Sequence, residues 1–324
     1  NGPFFMSPNN LWFWSGIIPA LAFQDFGTVP PLIMRFRFSS RPSVGIAFIV
    51  SAMMIVPFMD AIAKLLSSRY PVLQIVWGRF FFHLLIVAPI ALWRYGPSVF
   101  RVPRLPLQIG RGLFLMAATL CFFGAIRTIP LADAIALIFF DAVIVVLLSA
   151  FFFHEKVPAG RIIASLVGLG GVILVVQPGF GEFYWESLLA LIAALFFALY
   201  FLSTRFLTGN TPPVVTLAWQ GVGGFVLMSL LAPMVWVMPS FLDLAMMAAL
   251  GVIGAIGHLL LIRAFEYAEA SLLAPFLYSE IIMQVVLGYW VFGDLPNNWA
   301  VGGIVVIIGV GIYLSINPRK GRTP

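Results

Sequence analysis

Ala125 to Glu155 reads AIRTIPLADAIALIFFDAVIVVLLSAFFFHE, and Ala264 to Asp294 reads AFEYAEASLLAPFLYSEIIMQVVLGYWVFGD. The second stretch begins 139 residues after the first and aligns with it without a gap. Each opens on Ala with a charge two residues later, Arg127 and Glu266. Each carries one acid at the same place in an apolar run, Asp141 and Glu280, and each closes on an acid, Glu155 and Asp294. Two similar, almost wholly apolar halves predict a membrane protein built by duplication, an arrangement common among secondary transporters.

Composition agrees with a lipid solvent. Hydrophobic residues make up 62% of the 324-residue chain and charged residues 9%, with a mean hydropathy of +1.06. A soluble domain carries about 25% charged residues, so this chain has too few charges to cover a water-facing surface. The net charge of +6 is not gathered on one helix or tail, which argues against nucleic acid as a partner. Cys121 is the only cysteine, so neither a disulfide framework nor a Cys metal site is available.

A span takes roughly 20 apolar residues. Ten such runs are predicted, at about 44–66, 72–93, 107–127, 131–153, 160–177, 184–206, 213–237, 243–263, 270–292 and 298–316. Pro, Gly and Asn mark the breaks between them. If the N-terminus is cytoplasmic, one side receives Arg35, Arg37, Arg41, Arg94, Arg101, Arg104, Arg111, Lys156, Arg161, Arg205, Arg263, Arg319, Lys320 and Arg322. The other receives Lys64, Arg69 and Arg127, and Arg79 stays inside the second span. That bias puts both termini in the cytoplasm. Five spans per half is an odd number, so the halves must be inverted. The expected fold class is therefore all-α integral membrane, with ten transmembrane helices in two inverted five-helix repeats. The first repeat is read as residues 43–178, the second as 184–318, and 319–324 as a cytoplasmic tail. Residues 1–42 fit the plan poorly and are read as an irregular segment, interfacial or foreign to the natural chain, with no signal peptide.

The closing pattern of each half resembles the EamA domain of the drug/metabolite transporter superfamily. The second copy carries it in Ala264, Tyr267, Ala268, Ala270-Ser271, Ala274-Pro275, Tyr278, Glu280, Phe292-Gly293-Asp294, Asn298 and Gly302-Gly303. The first carries it in Ala125, Pro130, Ala132, Glu155, Arg161, Gly168 and Pro178. Within the superfamily the chain looks most like bacterial inner-membrane metabolite exporters, including the YddG type of amino-acid exporter. Asp141 stands where the family commonly has a small residue or Pro. The resemblance implies a carrier of small solutes.

An ionisable residue inside a span costs roughly 3 kcal/mol by insertion scales, so it tends to face the bundle interior or a water-filled cavity. Asp60 and Lys64 share a helix face in the favourable i,i+4 order, either as a self-neutralising pair or as an outer gate or substrate anchor. Arg79 and His83 share a face of the second span, with Trp77 nearby. Arg79 needs a carboxylate, carbonyls or water. Asp60 is its candidate partner across spans, and a substrate carboxylate is the alternative. His83 is read either as a packing residue or as part of the site. His258 follows Gly254 and Gly257, which leave space beside it. Trp77, Tyr200, Trp219 and Tyr278 are expected to line the path. Asp141 and Glu280 are read either as proton carriers or as structural acids. The neighbours legible in the sequence do not tune either acid, which favours facilitated diffusion over proton antiport.

The chain has three His, at 83, 154 and 258, in different spans, and no GxSxG, HExxH or Walker A motif. An integral-membrane enzyme acting on a lipid or isoprenoid would need a dense polar cluster at one interface, and a channel would want a polar ring or filter. The favoured reading is an alternating-access exporter of small metabolites, amino acids first, rather than an enzyme. It needs no cofactor and no metal. Its partners are the solute and membrane lipid, with no nucleic acid; a monomer is compatible with the sequence, which does not set the oligomeric state.

Overall fold

The computed structural model describes residues 41–128, 131–153, 158–176, 185–209, 211–293 and 298–316. Residues 1–40 lie outside this set, as do Glu155 and Asp294. The described residues are helical, with no strand among them. In chain order the helices are α1 (Pro42–Ser67), α2 (Val72–Tyr95), α3 (Leu105–Ile126), α4 (Leu131–Ile138), α5 (Phe140–Phe153) and α6 (Ala159–Val176). There follow α7 (Ser187–Leu207), α8 (Pro213–Leu231), α9 (Phe241–Tyr267), α10 (Ala270–Leu273), α11 (Glu280–Leu287) and α12 (Asn298–Ile316).

Seven helical stretches are long and apolar enough to cross a membrane: Pro42–Ser67, Val72–Phe100, Leu105–Ile126, Ser187–Leu207, Pro213–Val235, Phe241–Tyr267 and Ala270–Phe292. The expected fourth, fifth and tenth spans carry shorter apolar helices, Phe140–Ser149, Ile162–Gly171 and Val301–Val310. Large apolar side chains face outward along the bundle, among them Leu85, Ile90, Leu147, Ile163, Leu188 and Val305. Such a surface is stable only against lipid. Exposed Trp93, Trp185, Trp236, Trp290 and Trp299 sit close to helix ends, where an indole places its ring in the interface and its N–H toward water.

Without a hydrophobic drive in lipid, the helices must associate by close packing and hydrogen bonds. In the bundle, α1 packs on α9 and α3 on α7, α9 packs on α2 and α3 on α8, and α2 also packs on α8 and α6 on α12. Two glycines permit the closest approaches. A Cβ on Gly251 of α9 would lie 2.5 Å from the His83 backbone nitrogen of α2, and one on Gly112 of α3 would strike the Gln220 carbonyl of α8.

Two of the expected spans are broken. The run at 131–153 is interrupted at Phe139, between α4 and α5. The run at 270–292 starts as α10, tightens into a 3₁₀ turn over Ala274–Ser279, resumes as α11 and loosens into a π turn over Gly288–Phe292. Pro275 accounts for the second break, because it lacks an N–H and its ring crowds the carbonyl four residues back. Asp141 and Glu280 stand in the first turn after each break. Irregular backbone is tolerated at membrane depth only where it is buried in protein or lines a cavity.

Candidate functional site

A cavity lies at the breaks. Its walls come from α1 (Met53, Val56, Met59, Asp60), α2 (Arg79), α3 (Phe122, Phe123), α4 and α5 (Ile135, Ile138, Asp141), Phe139 between them, α7 (Phe197, Phe201) and α9 (Gly257, His258, Leu261). Leu277 and Glu280 complete it from the second broken run. About 50 Å³ is open to the centres of water molecules, which is room for a few waters. In α1, Pro57 removes the donor that the Met53 carbonyl would otherwise meet, and Met53 lines the cavity two turns before Asp60.

Arg79 organises the polar side. It is 3% exposed. One guanidinium nitrogen donates to Thr119 Oγ1, and the Thr119 hydroxyl donates in turn to the Leu115 carbonyl at 2.8 Å. The other terminal nitrogen lies 2.8 Å from His258 Nε2. A guanidinium only donates, so Nε2 must accept. The histidine proton then sits on Nδ1, which points at Tyr200 Oη 3.0 Å away. Tyr200 keeps its own proton for Gln220 Oε1, at 3.1 Å. The chain Arg79, His258, Tyr200, Gln220 therefore has a single consistent direction of donation, with His258 neutral.

The acids sit opposite. Asp60 is 2% exposed and accepts from Gln284 Nε2 at 2.9 Å. Glu280 lines the same cavity. Asp141 is 4% exposed, and its Oδ1 is buried without a hydrogen-bond partner. The expected cross-span bond from Arg79 to Asp60 is not what forms. The two share the cavity, but the guanidinium bonds to Thr119 and His258 while Asp60 turns to Gln284. Lys64 reaches the Ile126 carbonyl at 3.3 Å.

Of the residues singled out from sequence, Asp60, Arg79, Asp141, His258 and Glu280 converge on the cavity, with Tyr200 directly behind His258. Four do not reach its wall. His83 shares a helix with Arg79, but its Nε2 lies 3.1 Å from the Leu217 carbonyl, to which it donates across the α2–α8 contact. Trp77 donates to Ser229 Oγ at 3.0 Å and stacks on Phe81. Trp219 donates to the Val99 carbonyl at 2.8 Å. Tyr278 donates to the Ser165 carbonyl at 3.0 Å and meets the Phe139 ring edge to face. One turn of a helix separates Arg79 from His83, but α8 packs against α2 and takes the histidine.

Sequence reasoning missed three groups. Gln284 is legible only as a polar residue four positions after Glu280. Thr119 carries no signal in an apolar run. Arg111 was grouped with the cytoplasmic cations, yet it is fully buried in α3. It donates to Thr204 Oγ1 at 3.1 Å and to the Thr216 carbonyl at 2.8 Å, and it lies over the Tyr200 ring at 5.4 Å. Its place one turn inside the apolar run 107–127 was the available signal.

The comparisons with known proteins agree with this architecture. The profile of the EamA-like transporter family matches twice, over residues 43–177 and 184–317. An S-adenosylmethionine uptake transporter of Rickettsia bellii is 24% identical over 281 residues, covering 87% of this chain and 96% of that protein. The pseudopaline exporter CntI of Pseudomonas aeruginosa is 27% identical over 290 residues, covering 86% of this chain and 97% of that protein. A riboflavin transporter of Rhizobium johnstonii is 24% identical over 294 residues, covering 88% and 95%. These relatives do not support the narrower likeness to amino-acid exporters of the YddG type. A protein of known crystal structure superposes with a TM-score of 0.73 at 19% identity, over 86% of this chain and 99% of that one, and speaks to the fold alone. With two profile matches that together span most of its length, the chain belongs to the EamA-like transporter family.

Proposed function

We propose that this protein is a multi-pass carrier of the bacterial inner membrane that moves a small metabolite through the cavity between α1, α4–α5, α9 and α11 by alternating access. The observation that carries the reading is the cavity itself. Two broken helices, five ionisable side chains and five phenylalanine rings converge on one enclosed space, which is how a mainly apolar site fixes a solute by a few polar groups. The relatives named as transporters of metabolites support transport rather than catalysis.

Ten spans in two inverted repeats, with both termini cytoplasmic, remain part of the proposal. The packing pattern supports it. Exchanging α1 for α7, α2 for α8 and α3 for α9 turns the α1–α9 contact into α7–α3, and the α2–α9 contact into α8–α3. The α2–α8 and α6–α12 contacts map onto themselves. Such pairing is what a pseudo-twofold axis through the middle of the bundle produces.

The solute class most in keeping with the sequence is an amino acid or another compact metabolite with an amino-acid-like end, exported from the cell. Arg79 suits a carboxylate, and the phenylalanine walls suit an apolar side chain. Purified protein in liposomes should give saturable counterflow of one member of a panel of amino acids, S-adenosylmethionine and riboflavin, lost on Arg79→Leu. An absence of saturable flux for every member would sink the carrier reading.

A further inference from the structure

Among the described residues, Asp60, Asp141 and Glu280 line the cavity with a single guanidinium, that of Arg79. The direction of the hydrogen bonds makes His258 neutral, so it brings no charge. One guanidinium balances one carboxylate. In a cavity walled by hydrocarbon the other two acids need protons or a bound cation to be neutral. Asp60 and Glu280 line the same small space, and two carboxyls confined there cannot both ionise without a balancing charge, so one of them holds a proton. Asp141 Oδ1 is an unused buried acceptor in the same wall. Around these acids stand Phe122, Phe123, Phe139, Phe197 and Phe201, whose ring faces attract organic cations.

A surplus of acceptors and aromatic faces calls for a positive group, not a second anion. Resting on the carrier reading above, we infer that the solute presents a cationic group to Asp60, Glu280 and Asp141, and that a proton held by one of these acids leaves as this cation arrives. One proton departs for each positive charge bound, so the cavity stays neutral in both states and the cycle exchanges cation for proton. The groups facing the pair are Arg79 from α2, Asp141 from α5 and His258 from α9, with Tyr200 of α7 behind the histidine and Gln284 of α11 bonded to Asp60. From sequence alone Glu280 has no tuning neighbour, which favours facilitated diffusion. The fold supplies Asp60 as that neighbour.

The test uses the full chain in liposomes loaded with a pH-reporting dye and four probes: S-adenosylmethionine, L-lysine, L-leucine and L-glutamate. Entry of a cationic probe is expected to make the lumen more alkaline. Glu280→Gln and Asp60→Asn should each reduce this coupled movement by about tenfold or more, the scale of one charge-assisted hydrogen bond. Glu280→Asp should keep it, which separates loss of the acid from loss of folding. Saturable flux of glutamate alone, entry of a cationic probe without a pH change, or intact coupling in both amide variants would overturn the inference and leave the carrier reading standing. Absence of flux for all four probes would overturn both.

Discussion

Phe139 and Tyr278 meet edge to face, with ring centroids 5.6 Å apart and planes at 81°. They lie 139 positions apart in the chain, the same spacing that separates the two matching stretches, so each occupies the other's place in the repeat. Equivalent residues of a duplicated fold touch one another only close to the axis that relates the copies. This contact lies beside the cavity, where Phe139 lines the wall. The proposed pseudo-symmetry and the proposed site therefore fall on the same spot.

Tyr278 serves this junction more than the solute. Its hydroxyl donates to the Ser165 carbonyl, and its ring fills the space that a Cβ on Gly168 would need. Tyr278→Phe is expected to cost about 1 kcal/mol of stability, the net worth of one hydrogen bond, while flux stays within about threefold. A melting curve in detergent and a liposome flux assay check both numbers. Gly168→Ala should destabilise more, because the ring must move.

Arg79 should be intolerant of its nearest substitute. Lysine keeps the charge but lacks the planar fork that meets Thr119 and His258 together. Arg79→Lys is expected to reduce flux about tenfold or more with folded protein still in the membrane. His83→Ala should behave differently. It removes a contact between α2 and α8, so it should lower the melting temperature and leave the half-saturating solute concentration unchanged. A shifted half-saturation in His83→Ala would return that residue to the site.

Helix spacing gives a paired prediction on glycine. Gly251→Val should separate α9 from α2 and destabilise the protein by roughly 1–3 kcal/mol, as overpacking does. Gly110→Ala lies on α3 with nothing within 4 Å of the added Cβ, and should be neutral or gain up to about 1 kcal/mol from helix propensity. Thermal unfolding of the two variants side by side is the measurement. Equal effects would show that close approach does not govern this bundle.

Orientation is testable with single cysteines in a Cys121→Ser background. Ser68 and Arg101 are both exposed, at the end of α1 and beyond the end of α2. Ser68→Cys is expected to react with an impermeant maleimide added to intact cells, and Arg101→Cys only after the membrane is opened. The reverse pattern would invert the topology.

Asp243 ties the end of α1 to the start of α9. It accepts from Arg69 at 2.9 Å, from Tyr70 at 2.8 Å and from Ser240 at 2.6 Å. Its backbone N–H in turn donates to the Ser240 hydroxyl, which caps α9 in the usual manner of serine at a helix start. If this cluster closes the outer end of the path, Asp243→Ala should increase labelling of a cysteine placed at Val56 of the cavity wall by several-fold from outside, as loss of one buried hydrogen-bonded group permits. Unchanged labelling would make the cluster a capping device alone.

The amino-acid sequence by itself determined the solvent, the helical class, the family and the identity of the central acids. The reason is physical. Lipid forbids unpaired backbone and penalises charge, so apolar run length and the few interrupting charges are read directly from composition. Asp141 and Glu280 could be matched because duplication preserves spacing. Side-chain partnership was decided only by the tertiary structure. Arg79, His83, Trp77 and Trp219 are alike in sequence as polar or aromatic residues within apolar runs. Yet Arg79 turns to Thr119 and His258 while the other three spend their donors on Leu217, Ser229 and Val99. Which face of a helix meets the cavity depends on the neighbour packed against it, and α8 and α9 reach α2 from more than a hundred residues away. The same holds for Asp60 and Glu280, which no local pattern relates and which the packing of α1 against α11 brings to one cavity.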